Sequence, residues 1–185
     1  NGSNSGHVRV YSYNGNAWIK VGQDIDGEAA YDNSGWSISM SSDGSTVVIG
    51  AILNDGNGSN AGHVRVYSYN GTAWTQVGQD IDGEAANDKS GRSVSMSSDG
   101  LTVAIGTTGN NGNGQQAGHV RVYGYSAGSW SQLGADIDGE AADDHSGGSV
   151  SLSSDGTKIA IGAAGNNGNG SNSGHVRVYG YSAGS

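Results

Sequence analysis

The string Gly-His-Val-Arg-Val-Tyr begins at Gly6, Gly62, Gly118 and Gly174, so it returns every 56 residues with no insertion or deletion. A period this long and regular restricts the chain to a solenoid, a propeller or an array. In each of these a unit is one supersecondary motif that buries its apolar face against its neighbours. The units run 6–61, 62–117 and 118–173, with 1–5 ending a preceding repeat and 174–185 opening a fourth. Residues 1–11 read NGSNSGHVRVY, and the same string recurs at 169–179. Terminal repeats that cap an array look atypical, and neither end does here. The expectation is a stretch of a longer periodic protein, or one that packs end to end with copies.

Each unit reads as four short strands. His63 to Tyr69 alternates, with His63, Arg65, Tyr67 and Tyr69 on one face and Val64, Val66 and Ser68 on the other. Asn70-Gly71 is a hairpin-turn signal, and Ala73 to Val77 follows as the second strand. An acidic connector covers Asp80 to Ser90. Ser93 to Ser97 and Thr102 to Ile105 then flank the tight turn Ser98-Asp99-Gly100. A Gly/Asn loop leads into the next His strand, and nothing has helical periodicity. Four strands in such a unit is the size of one propeller blade. The apolar share is 34% without glycine, set against a usual ~45–50% that counts glycine; so few large apolar side chains suit thin sheets packed face to face better than one central core. The predicted fold is all-β: tandem four-stranded antiparallel blades, β-propeller-like, in a closed propeller or an open array.

Seventeen acids against eight Lys and Arg give a net charge of −9, which argues against a nucleic-acid partner. No apolar run approaches the ~20 residues of a membrane span. With no cysteine there is no disulfide and no thiolate metal site.

The segment from Asp88 to Gly109 resembles an FG-GAP repeat, the blade unit of integrin-alpha-type propellers. Gly91 matches the glycine of the Phe-Gly pair, and Gly106-Thr107-Thr108 the Gly-Ala-Pro triplet. Gly35 with Gly50-Ala51-Ile52 repeats the pattern in the first unit, and Gly147 with Gly162-Ala163-Ala164 in the third. Ser34, Ser90 and Ser146 stand where the family has Phe, and no proline is present. These departures tilt the expectation toward an open, filament-like array. The resemblance also implies a calcium loop between the first two strands after the Phe-Gly pair. Here Ser98-Asp99-Gly100 is too short to wrap an ion.

Several residues are candidates for a site. Asp24, Asp26, Glu28 and Asp32 lie at positions 1, 3, 5 and 9 of the first connector. Asp80, Asp82, Glu84 and Asp88 repeat the spacing, as do Asp136, Asp138, Glu140 and Asp144. Clustered oxygens on a glycine-bearing loop are calcium chemistry, but Gly83 falls at position 4 of its loop, so salt bridges to the strand arginines are the competing reading. Arg9, Arg65, Arg121 and Arg177 alternate with valines in a strand covered on both sides. A buried guanidinium without a partner is costly, so each is predicted to bond a connector carboxylate or a backbone carbonyl. Trp18, Trp74 and Trp130 recur at one strand position and read as inter-blade plugs; Trp36 occurs once. Asn57, Asn70 and Asn169, with Asn1, fit the glycosylation sequon in predicted loops. The recurring histidines sit on a packed strand face, and His145 reads as a solvated loop residue. Catalytic groups normally occur once, in a cleft, and no such set stands out. The expectation is a non-catalytic extracellular structural or adhesive repeat protein that needs no cofactor, partnered by its own copies or by adjacent repeats. The alternative is a propeller module that binds a glycan or protein ligand, with calcium as a conceivable helper.

Overall fold

The computed structural model describes residues 2–181. Every strand pairing named below is antiparallel, and the described residues contain no helix. The first sheets are partial: β1 (His7–Val8) pairs with β4 (Ile25–Asp26), and β2 (Tyr11–Tyr13) with β3 (Trp18–Lys20). A complete blade follows from β5 (Ser34–Met40), β6 (Thr46–Ala51), β7 (His63–Tyr69) and β8 (Trp74–Gln76), paired in that order. The second complete blade repeats it with β10 (Ser93–Met96), β11 (Thr102–Thr107), β12 (His119–Ser126) and β13 (Ser129–Gln132). A last sheet holds β15 (Ser146–Leu152), β16 (Lys158–Ala163) and β17 (His175–Gly180).

Two features depart from the sequence reading. The sheets are out of phase with units counted from the His strand. Each Ser strand pairs with the strand after it, and that strand with the His strand that follows, so the first complete blade runs across residues 34–82. A period fixes the length of a unit but not where its sheet begins. The acidic connector also contains a strand: β9 (Ile81–Asp82) pairs with the start of β7, and β14 (Ile137–Asp138) with the start of β12. The outer strand of each blade is therefore interrupted and then resumed, with its acidic end beside the histidine.

Among the described residues the apolar side chains form no single core. Three apolar clusters each lie at the junction of two blades. In one, Val48, Val64 and Val66 of the first complete blade meet Val94, Met96, Val103, Ile105 and Trp130 of the second. The valines of the His strand face the following blade, and its His, Arg and Tyr side chains face the preceding one. Small residues allow this close approach. The Ser39 hydroxyl accepts from the Met96 amide at 3.1 Å, and Ser95 likewise from Leu152 at 2.9 Å.

The glycines of the two family motifs meet across the same junctions. A Cβ on Gly50 would sit 2.3 Å from the carbonyl oxygen of Gly91, and one on Gly106 would sit 2.0 Å from that of Gly147. Neither contact leaves room for a side chain, so the glycine pair sets how closely consecutive blades stack.

Candidate functional site at the blade junctions

The connector lies between the outer strand of one blade and the inner strand of the next, and the structure distributes its acids by position. The fourth acid of each set is a buried structural cap. Asp88 accepts from the Ala85 amide at 3.2 Å and the Asn110 side-chain amide at 3.3 Å. Asp32 and Asp144 hold the equivalent partners. The second acid, Asp26, Asp82 or Asp138, sits in the short resumed strand opposite His7, His63 or His119. The first and third acids turn toward the strand histidines and arginines, but of different blades. The four acids of one loop thus do not converge on one point, although in the third connector the Asn166 side chain donates to both Glu140 and Asp144.

The gathering that does occur crosses a junction. Among the described residues, the groups of His and carboxylate atoms lying within 4.8 Å of one another are Glu28–His63–Asp80 and Glu84–His119–Asp136. Glu28 comes from the connector preceding the blade, His63 from its third strand, and Asp80 from the connector that follows. Sequence reading grouped acids by adjacency and set the histidines aside as packing residues. The signal available was the 56-residue period itself, which places His63 and His119 in register with the acids of two successive connectors.

Each strand arginine reaches a carboxylate. Arg65 lies 3.0 Å from Glu28 and also donates to the Asp26 carbonyl at 3.4 Å. Arg121 pairs with Glu84 at 3.1 Å, and Arg177 pairs with Glu140. At the first sheet Arg9 instead pairs with Asp24 of its own connector at 2.9 Å, and Lys20 pairs with the same carboxylate. These hydrogen-bonded cations hold the Asp24 carboxyl well below the usual carboxylate range. His63 and His119 are buried. That burial pushes their pKa values down, and the Arg65 or Arg121 guanidinium adds to it; the nearby carboxylates oppose it without prevailing. Both rings are thus neutral at pH 7.

The tryptophans cross the junctions. The Trp74 indole donates to the Val21 carbonyl at 2.9 Å, and Gln23 clasps the Trp74 backbone through both its amide atoms. Trp130 repeats the arrangement with Val77 and Gln79. Trp18, at the first sheet, is exposed. Asn57 is exposed but spends its side-chain amide on the carbonyls of Gly83 and Glu84. Asn70 stands in an exposed hairpin turn, where its side-chain oxygen accepts from the Thr72 and Ala73 amides. Asn169 is in an exposed loop, and Asn1 lies outside the described residues. His145 is half-buried in its connector at φ 52°, rather than a free loop side chain. The Ser98-Asp99-Gly100 turn closes on its own aspartate, which accepts from Ser97 at 2.6 Å and from the Leu101 amide at 3.0 Å.

Antiparallel blades stacked through glycine-lined junctions define a β-propeller-type repeat module. Residues 25–67 match the FG-GAP repeat family, and the chain carries an FG-GAP repeat there. The corresponding stretches 81–123 and 137–179 follow one and two periods on. No curated protein matches the chain. Among solved structures it is similar to a candidate 6-phosphogluconolactonase of Bacteroides uniformis, with a TM-score of 0.61 and 12% identity, covering 96% of this chain and 45% of that one. This chain therefore spans less than half of that protein's length, and at such identity the likeness concerns the fold alone. The tricorn protease is also similar over 89% of this chain and 14% of its own, with 12% identity and a TM-score of 0.46.

Proposed function

We propose that this is a non-catalytic structural or adhesive repeat protein of the cell exterior, extended by stacking blade on blade within a longer chain or between copies. The observation that carries the reading is the contrast between equivalent residues inside the stack and at its ends. Val64 and Val66 are 0% and 1% exposed, whereas Val176 and Val178 are 69% exposed. Trp74 and Trp130 are 4% exposed, whereas Trp18 is 68%. Ile38 and Met40 are likewise open where Val94 and Met96 are buried. The two outer faces are thus the two halves of the interface already used at every internal junction, and such apolar surface calls for a partner. Gly162 fits the same pattern. A Cβ there meets nothing closer than 3.6 Å, while its equivalents Gly50 and Gly106 press against the next blade. A head-to-tail contact of this kind repeats without a dyad. The lack of catalysis is supported by the repetition of the His, Arg and Tyr set in every unit. An exterior location is supported by the exposed sequons at Asn70 and Asn169.

Light scattering on the 185-residue chain tests this. Oligomers that grow with concentration are expected. Val176→Asp with Val178→Asp, and separately Gly162→Ala, should return a monomer with unchanged circular dichroism. A well-folded monomer at every concentration overturns stacking between copies.

A second reading, ligand binding, is favoured by one cleft of about 1420 Å³. It is lined by residues that differ between units, among them Trp36, Lys89, Arg92 and His145, with Arg92 stacked 4.8 Å over Trp36. Binding on a glycan array, lost in Arg92→Ala, would support it.

A further inference from the structure

The His119 Nδ1 is buried and has no hydrogen-bond partner. Its side chain is 1% exposed, and the nitrogen faces Asp136 Oδ2 at 3.6 Å and Glu84 Oε2 at 4.0 Å. These separations are too long for hydrogen bonds. An orphaned buried polar atom costs about 1–3 kcal/mol unless something bridges it. The other copy has the same arrangement, with His63 Nδ1 3.6 Å from Asp80 Oδ2 and 3.9 Å from Glu28 Oε2. Three ligand-type atoms thus converge on one point at each complete junction.

The surroundings hold those atoms in place. The Gln76 side chain donates to Asp80 Oδ1 at 2.6 Å, leaving Oδ2 turned to the histidine. Gln132 does the same for Asp136. Arg65 takes Glu28 Oε1 and leaves Oε2 facing the ring, whereas Arg121 lies against Glu84 Oε2, the oxygen that faces His119, so that carboxylate must rotate to offer a free oxygen. One oxygen fixed by an outer donor and the other aimed inward is how a second shell orients metal ligands.

We infer that each complete junction holds a divalent transition-metal site, with Glu28, His63 and Asp80 as ligands in one and Glu84, His119 and Asp136 in the other. Metal–ligand bonds of about 2.1 Å in a tetrahedron put ligand atoms roughly 3.4 Å apart. The histidine–carboxylate spacings of 3.6, 3.9 and 4.0 Å need about 0.2–0.6 Å of closure to reach this, and all three ligand atoms of each set already lie within 4.8 Å of one another. A nitrogen with two carboxylate oxygens suits zinc and its neighbours, and three protein ligands leave a fourth position for water. The imidazole disfavours calcium, which takes oxygen ligands. Two carboxylates against one guanidinium leave a local negative charge for the cation. Arg121 Nε lies 3.4 Å from His119 Nε2, whereas Arg65 donates to the Asp26 carbonyl. At His63 the guanidinium thus rests away from the ring and leaves Nε2 free to carry the proton when Nδ1 binds metal; at His119 the Arg121 Nε donates to Nε2, and metal binding at Nδ1 requires that guanidinium to turn away as Arg65 does. Both sites lie within one chain, so the inference stands apart from end-to-end assembly.

Zinc binding to chelator-treated, full-length chain tests it, read by calorimetry and by metal content after gel filtration. About two zinc ions per chain are expected, one for each cluster, together with a higher melting temperature. Glu28→Gln with Glu84→Gln alters half-exposed side chains and should leave the fold intact while weakening zinc binding at least tenfold. His63→Ala with His119→Ala should abolish it, whereas His145→Ala should retain it. Substoichiometric zinc in the native chain, or retention of both ions in the glutamine variant, overturns the inference.

Discussion

Single residues decide how near two blades come. Gly106 has no room for a Cβ, because the Gly147 carbonyl lies 2.0 Å from where it would stand. Gly106→Ala must push the second complete blade and the last sheet apart, at about 1–3 kcal/mol or more. Gly162→Ala, at the equivalent place on the open face, should be neutral or slightly stabilising in the monomer. Urea unfolding of the two variants checks the pair, and equal losses would contradict the junction geometry. The buried histidines make a second prediction at this scale. Their folded pKa lies below 6.5, so between that value and 6.5 the unfolded chain binds more protons than the folded one. Stability is then present above about pH 6.5 and lost as pH falls through it. Melting temperature should fall from about pH 7.5 to about pH 5.5, a window above the range where the lowered carboxyls Asp24, Asp43 and Asp155 titrate. His63→Gln with His119→Gln should flatten that slope; an unchanged slope would assign it to other groups.

At the scale of the element, the connector joins blade to blade and its acids are already committed. Asp88→Ala leaves the Ala85 amide and the Asn110 side chain without their buried acceptor. The expected loss is about 1–3 kcal/mol, measured by thermal or urea unfolding. Calcium added to chelator-treated protein should leave the melting temperature unchanged, because no single loop gathers its four carboxylates. A rise of many degrees would restore the loop as a calcium site. The strands were legible from alternation: His63–Tyr69 was placed to the residue, and Ser93–Met96 and Thr102–Thr107 nearly so. Ile81–Asp82 was not, since two residues within an acidic run carry no periodicity. The His–carboxylate clusters were hidden for a different reason. Their members lie in two successive connectors and the strand between them, and only the stacking of blades brings those together.

At the scale of the whole molecule, stability belongs to junctions rather than to a core. Each apolar cluster joins two blades, so the energy of such a stack is close to a sum of unit terms and nearest-neighbour terms. The two open faces form a fixed deficit, borne once however many units lie between them. A chain lengthened by a second copy of residues 62–117 gains one more junction of the Val64–Trp130 kind with no further open face. Its melting temperature should therefore rise and its unfolding should remain cooperative, as followed by circular dichroism at a concentration where both chains are monomeric. The comparison must be made there, because association would cover the same faces and mimic the gain. If the lengthened chain melts at the temperature of the original, the junctions do not carry the stability, and the open faces lose their significance as halves of an interface.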